Sequence, residues 1–138
     1  MPVLFSRACE YAIRGLAEMA SQPEITSWTI QELAKQTDTP APFLAKTFQT
    51  LVKSGILNSA KGRHGGFSFA RPVDKIYIME IVNILDGPTL ANDCALGFPE
   101  CSGINPCPFH AQWGEIRETI IHALSSQSLI EFAQQQRG

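Results

Sequence analysis

Nowhere does this chain of 138 residues run to the roughly 18 consecutive apolar residues that a membrane-crossing helix needs. Its start, MPVLFSRACEYAIRG, also lacks a continuous apolar run and places Arg7 and Glu10 early, so it does not read as a signal peptide. A cytoplasmic protein with no membrane partner is the expectation. Acidic residues are missing altogether from Thr39 to Val73. Cysteine is almost missing: outside one short segment only Cys9 occurs. There is no internal repeat, no nucleophile–base pair, no paired carboxylates and no phosphate-cradling loop, so an enzyme is not expected. With 44% hydrophobic and 17% charged residues the chain is not a disordered one. Its length suits one domain, or a small domain with an appended element.

The charge that is present is unevenly placed. Residues 1–77 carry nine Lys/Arg against six Asp/Glu, and residues 78–138 carry two against seven. Within the acid-free stretch stand Lys46, Lys53, Lys61, Arg63 and Arg71. Such a local excess is a footprint for a polyanion, although a basic face can also be merely solvated.

Periodicity divides the same half into short helices and a hairpin. Cys9, Ala12, Ile13, Leu16, Ala17 and Ala20 recur at three- and four-residue spacing, predicting a helix from about Ser6 to Ala20 with Ser6 as N-cap and Pro23 beyond its end. A second helix is expected at about Thr29 to Gln36, with Thr29 and Glu32 as a capping box. Thr37-Asp38-Thr39-Pro40 makes a turn. A third helix follows over about Ala41 to Ser54, burying Phe43, Leu44, Thr47, Phe48, Leu51 and Val52, with Gly55 as its left-handed cap. Ile56–Ala60 and Phe67–Ala70 read as strands joined by Lys61-Gly62-Arg63-His64-Gly65-Gly66.

Short helix, tight turn, longer helix and glycine-tipped basic hairpin is the order of a winged helix-turn-helix. The helix after the turn would then enter the major groove of double-stranded DNA with Thr39, Ala41, Pro42, Ala45, Lys46 and Gln49, and the hairpin would offer Lys61, Arg63 and His64. The fold class expected is therefore mainly α with a small β-hairpin. Residues 1–77 form the DNA-binding domain, and residues 78–138 hold a loop and further helices. Those helices are a fourth over about Ile78 to Leu85, a long one over about Ala111 to Ser125, and a short one opened by Ser128 and Glu131. On the long helix Trp113, Ile116, Ile120 and Leu124 mark one apolar face.

Between them lies Cys94-x6-Cys101-x5-Cys107-x2-His110, seventeen residues rich in Gly and Pro. Soft thiolates gathered on one loop suit iron in an iron–sulfur cluster, or zinc. Cys9, on the apolar stripe of the first helix, reads as a small buried hydrophobe.

Glu10-Tyr11-Ala12-Ile13-Arg14, Ile30-x-x-Leu33-Ala34, Phe43-Leu44, Leu51-x-x-Ser54-Gly55-Ile56-Leu57, Lys61-Gly62-x-x-Gly65-Gly66-Phe67 and Ala70-Arg71-Pro72 together resemble the winged-helix iron–sulfur regulators of bacteria, the IscR and NsrR types among them. The resemblance spans nearly the whole chain. It implies a homodimer joined through the long C-terminal helix, reading a palindromic operator with recognition helices about 34 Å apart. It also implies an iron–sulfur cluster on Cys94, Cys101 and Cys107, held by the loop over residues 92–110. By resemblance to the IscR type, His110 is the fourth ligand of a 2Fe-2S cluster. By resemblance to the NsrR type, Glu10 of the partner chain is the alternative and 4Fe-4S becomes possible. The first cysteine interval is one residue longer than is common in IscR-like loops. Other readings are a winged-helix regulator with a zinc or thiol–disulfide switch, or an iron–sulfur electron carrier.

Overall fold

The Ser6 side chain accepts a hydrogen bond from the Cys9 N–H (3.1 Å) and so starts helix α1, Arg7–Ser21. The computed structural model describes residues 4–62, 65–88, 90, 93–98 and 103–137. All six stripe residues named above are buried in α1, from Cys9 to Ala20. Gly15 is buried as well, because a side chain there would meet the Phe48 ring at 3.1 Å. The absent side chain lets two helices approach closely.

Helix α2 (Ile30–Thr37) is capped by Thr29, which accepts from the Glu32 N–H at 3.2 Å. The Glu32 carboxylate returns to the Thr29 hydroxyl (2.9 Å), so the capping box closes through the side chain. Asp38 then takes the left-handed conformation (φ 54°) and turns the chain into α3, Ala41–Lys53. Leu44, Thr47, Phe48 and Leu51 of α3 are buried as expected. Phe43 is not: it is 42% exposed and meets Tyr11 of α1 edge-on, with centroids 5.5 Å apart. Its place at the helix margin lets it cover Tyr11 instead of entering the core.

Strands β1 (Leu57–Ala60) and β2 (Gly66–Phe69) pair antiparallel, Leu57 opposite Phe69 and Ala60 opposite Gly66. On its other edge β2 is pinned by Trp28, whose N–H donates to the Phe67 carbonyl (2.9 Å) while the Phe67 N–H donates to the Trp28 carbonyl (2.7 Å). A 3-10 turn (Val73–Lys75) leads to α4, Ile78–Asp86. After the cysteine segment come α5 (His110–Ser126) and α6 (Leu129–Arg137).

The last helix returns to the first. Helix α6 packs on α1, and its start is tied to the stretch before α4 by Leu129 N–H to Ile76 carbonyl (2.7 Å) and Ile78 N–H to Gln127 carbonyl (3.2 Å). Ser128 and Glu131 complete the capping box expected there. Leu129 and Ala133 are buried, the leucine side chain alone contributing roughly 2 kcal/mol. Helix α5 differs. It packs on α4, yet none of its residues is buried. Trp113, Ile120 and Leu124 are half-buried and Ile116 is 45% exposed, which leaves its apolar face incompletely covered. No described helix is long and apolar enough to cross a membrane.

The hairpin's attachment can be tested at one atom. Gly66 has φ +146°, and a Cβ there would lie 2.5 Å from the Trp28 carbonyl oxygen. Gly66→Ala should cost about 2 kcal/mol or more in chemical denaturation. Gly62→Ala, where φ is +98° but nothing among the described residues lies within 4 Å, should cost only about 1 kcal/mol.

Candidate DNA-reading surface and thiol site

Helix α3 and the hairpin enclose a cleft of about 460 Å³. It collects Ala41, Pro42, Ala45 and Gln49 of the sequence-predicted set, together with Gly62 and Gly65 of the hairpin. Small side chains at 41, 42 and 45 leave the helix surface low, so a partner can approach the backbone, while Gln49 supplies an amide able to pair with adenine. Lys46 and Lys61 are exposed beside this cleft, and neither has a carboxylate within ion-pair reach among the described residues. Sequence reasoning missed Thr29 and Gln31, which line the cleft from the start of α2. The signal was available in the Thr29 cap, which places residue 31 in the first exposed turn.

Two expectations change. Thr39 is only 8% exposed, with its hydroxyl 3.0 Å from that of Thr37, so it braces the turn rather than standing free at the surface. Arg71 is not part of a free basic face. Its guanidinium grips Glu80 of α4 through two hydrogen bonds (2.8 and 3.2 Å) and also donates to the Lys75 carbonyl (2.6 Å). The acid-free run in sequence concealed this, because the neutralising carboxylate lies nine residues on. Arg63 and His64 lie outside the described residues.

In the second segment, the Cys94 and Cys107 Sγ atoms lie 3.5 Å apart, both half-buried. Two sulfurs on one tetrahedral metal with bonds of about 2.3 Å would stand roughly 3.8 Å apart, so the pair suits shared ligation with almost no movement. The chain tightens around each sulfur. Gly97 N–H donates to the Cys94 carbonyl (3.0 Å), and His110 N–H donates to the Cys107 carbonyl (3.1 Å) as α5 begins. The Trp113 indole donates to the Asp93 carbonyl (3.3 Å), tying α5 to the residue before Cys94. Cys107 also precedes the N-terminus of α5, where the helix macrodipole favours negative charge. Among the described residues no three Cys, His, Asp or Glu converge, and Cys101 lies outside them.

Glu10 sits elsewhere. It lines a groove with Arg14, Ile78, Leu124 and Phe132. Leu124 is eleven residues along α5 from Trp113, about 16 Å at 1.5 Å per residue. Within one chain Glu10 thus shares a groove with the far half of α5, whereas His110 is one turn from Cys107. Cys9 is fully buried, and burial, with Asp86 and Glu10 nearby, pushes its thiol up to about 12. It remains a protonated core residue.

Comparison with known proteins decides the lineage. Residues 5–135 match Rrf2, described as an iron-dependent transcriptional regulator. The chain belongs to the Rrf2 family. A protein of Aquifex aeolicus provisionally named an HTH-type transcriptional regulator is 36% identical over 120 residues, which is 86% of this chain and 83% of the relative. The HTH-type transcriptional regulator IscR of Xenorhabdus nematophila is 26% identical over 126 residues, covering 91% and 76%. Among solved structures, CymR, the global cysteine regulator of B. subtilis, superposes with a TM-score of 0.78 at 19% identity, covering 94% of this chain and 95% of that one. The Rrf2 family and these sequence relatives are transcription regulators, not enzymes.

The Arg71–Glu80 pair sets a pH dependence. Hydrogen bonding from Arg71 holds the Glu80 carboxyl below its ordinary range. Stability from this pair is present above the unfolded carboxylate's ordinary pKa and is lost as pH falls through the lower folded value. Glu80→Gln should reduce stability at neutral pH by less than about 1 kcal/mol, since the pair is partly exposed. In denaturation curves taken toward acid, the gap from wild type should close.

Proposed function

We propose that this Rrf2 regulator binds operator DNA as a homodimer under the control of an iron–sulfur cluster held by Cys94, Cys101, Cys107 and His110. The observation that carries this reading is the 3.5 Å approach of Cys94 and Cys107 at the start of α5, with a third cysteine between them in the chain. The donor set is soft and suits a cluster, 2Fe-2S by the presence of His110 one turn from Cys107. Glu10 of the partner chain is the alternative fourth ligand, with 4Fe-4S the matching cluster. Bound there, the cluster would supply a redox- and iron-responsive link across the loop.

The chain's own residues give that link its consequence. Asp86 ends α4 and accepts hydrogen bonds from the Ser6 backbone (2.8 Å) and hydroxyl, so the base of the cysteine segment is fixed to the N-cap of α1. At the other end His110 opens α5, whose Ile116 and half-covered Trp113, Ile120 and Leu124 suit packing on a second copy. Joining Cys94 to Cys107 and His110 sets the pose of α5 against α4. In a dimer that pose fixes the spacing of the two α3 helices, for which DNA requires about 34 Å. Release of the loop is then an order–disorder switch on operator choice. On the DNA side, Ala41, Pro42, Ala45 and Gln49 meet the bases, while Lys46, Lys61, Arg63 and His64 meet phosphates or groove edges, and Thr39 braces the turn.

The same sulfur contact favours a second reading, a thiol–disulfide switch. Two thiols at 3.5 Å can lose two electrons and two protons to an oxidant such as peroxide and join in one S–S bond. Anaerobic purification separates the two. The cluster reading expects coloured protein with iron and acid-labile sulfide in equal amounts, and a changed electron paramagnetic resonance spectrum in reduced His110→Ala. Colourless, iron-free protein after reconstitution, with reversible loss of two thiols, would establish the disulfide reading instead. In operator titrations, Lys46→Ala should weaken binding about tenfold and reduce the salt slope by about one.

A further inference from the structure

The cleft between α3 and the hairpin has a third wall, formed by Thr29, Ile30 and Gln31 at the start of α2. Trp28 brings that wall there, because its pairing with Phe67 lays the residues before α2 along the hairpin. Thr29 is already spent: its hydroxyl accepts from the Glu32 N–H and donates to the Glu32 carboxylate. Ile30 has no polar group to offer. The Gln31 side chain is exposed and makes no hydrogen bond among the described residues. None of the described residues lining the cleft is charged. The one carboxylate in the first turn of α2, that of Glu32, is held by Thr29 and is not among the lining groups.

We infer that Gln31 is an uncharged phosphate clamp, its side-chain N–H groups donating to the phosphodiester of the DNA strand that lies beside α3. This rests on the DNA-binding reading above and adds to it a residue outside both α3 and the hairpin tip. Space decides between base and phosphate. A helix with its side chains is about 10–12 Å across and the major groove about 12 Å wide, so α3 fills the groove it enters. A residue on the neighbouring element has no path to base edges past α3 and meets the groove wall, which is sugar and phosphate. Ala41 and Ala45 on one side, and Gly62 and Gly65 on the other, leave room for a strand to pass between helix and hairpin.

The chemistry fits that place. A primary amide carries two N–H donors, and a phosphate offers only acceptors. Unlike Lys46 and Lys61, a neutral donor adds affinity without displacing counterions, so it leaves no mark on the salt dependence. Gln31 stands in the first turn of a helix whose cap is fixed by Thr29 and Glu32. It therefore holds the strand at a set height against α3, and Gln49 meets its base pair in a defined register.

The test uses full-length protein, a duplex selected from a random-sequence library, and a scrambled duplex of equal length, titrated by fluorescence anisotropy at several KCl concentrations. Gln31→Ala should weaken binding about tenfold, with an unchanged salt slope and an unchanged ratio between the two duplexes. Gln31→Lys should restore affinity at low salt and steepen the slope by about one. Gln31→Glu should bind more weakly than Gln31→Ala without a lower Tm, since an acid in the first turn of a helix favours the fold. Wild-type affinity in Gln31→Ala, or a changed preference at a single base pair on reselection, alongside weakened binding in Lys46→Ala, would overturn the clamp and leave the DNA reading standing. Failure of the wild-type protein to bind any duplex would sink both.

Discussion

The burial of α1 is the constraint on which the rest of the chain hangs. Helices α2, α3, α4 and α6 all pack on it, and its inward face is built from small and medium side chains that let them come close. Gly15 against Phe48 sets the distance to the recognition helix. The same helix is joined at its cap to the far end of α4, where Asp86 takes both donors of Ser6. A single helix thus packs on α3 and is joined at its cap to the end of α4 from which the cysteine segment leaves.

The hairpin depends on α1 only indirectly. Its inner strand is held by Trp28, a loop residue buried against the core, through two hydrogen bonds of 2.7 and 2.9 Å. Gly66 is obliged to be glycine because the Trp28 carbonyl occupies the space a side chain would need. This gives the wing a firm base and leaves the Lys61 end exposed to solvent.

Much of this was legible in the sequence, for identifiable reasons. Ser6, Thr29 and Ser128 are caps whose chemistry is local, and each starts its helix where the residue pattern places it. The stripe from Cys9 to Ala20 was readable because α1 is buried along one whole face. What escaped was set by tertiary contact. Phe43 keeps the spacing of a core residue yet lies over Tyr11 at the surface. Arg71 stands in an acid-free run yet is neutralised by Glu80 from the next helix. Thr39 looked like a base-reading residue because it precedes the recognition helix, but the left-handed Asp38 folds it inward. The approach of Cys94 and Cys107 depends on a loop path that no local rule specifies; the spacing gave only the donor types.

That approach also narrows the chemistry. Sulfurs at 3.5 Å can share a metal or become a bond, and in either state the loop between them is closed at its ends. The two readings differ in what closes it, not in what closure does: both fix residue 94 to residue 107 and therefore to the start of α5. A metal centre needs further donors and draws His110 and Cys101 into the closure, which adds the orientation of α5 itself to what is controlled. A disulfide needs neither, and would leave the His110 side chain out of the closure. Since α5 is the helix whose apolar face is incompletely covered, control of its orientation is control of where that face points. The presence of a histidine at the first residue of α5, held by its backbone to Cys107, is for that reason the feature that gives the metal reading its mechanical advantage over the thiol pair.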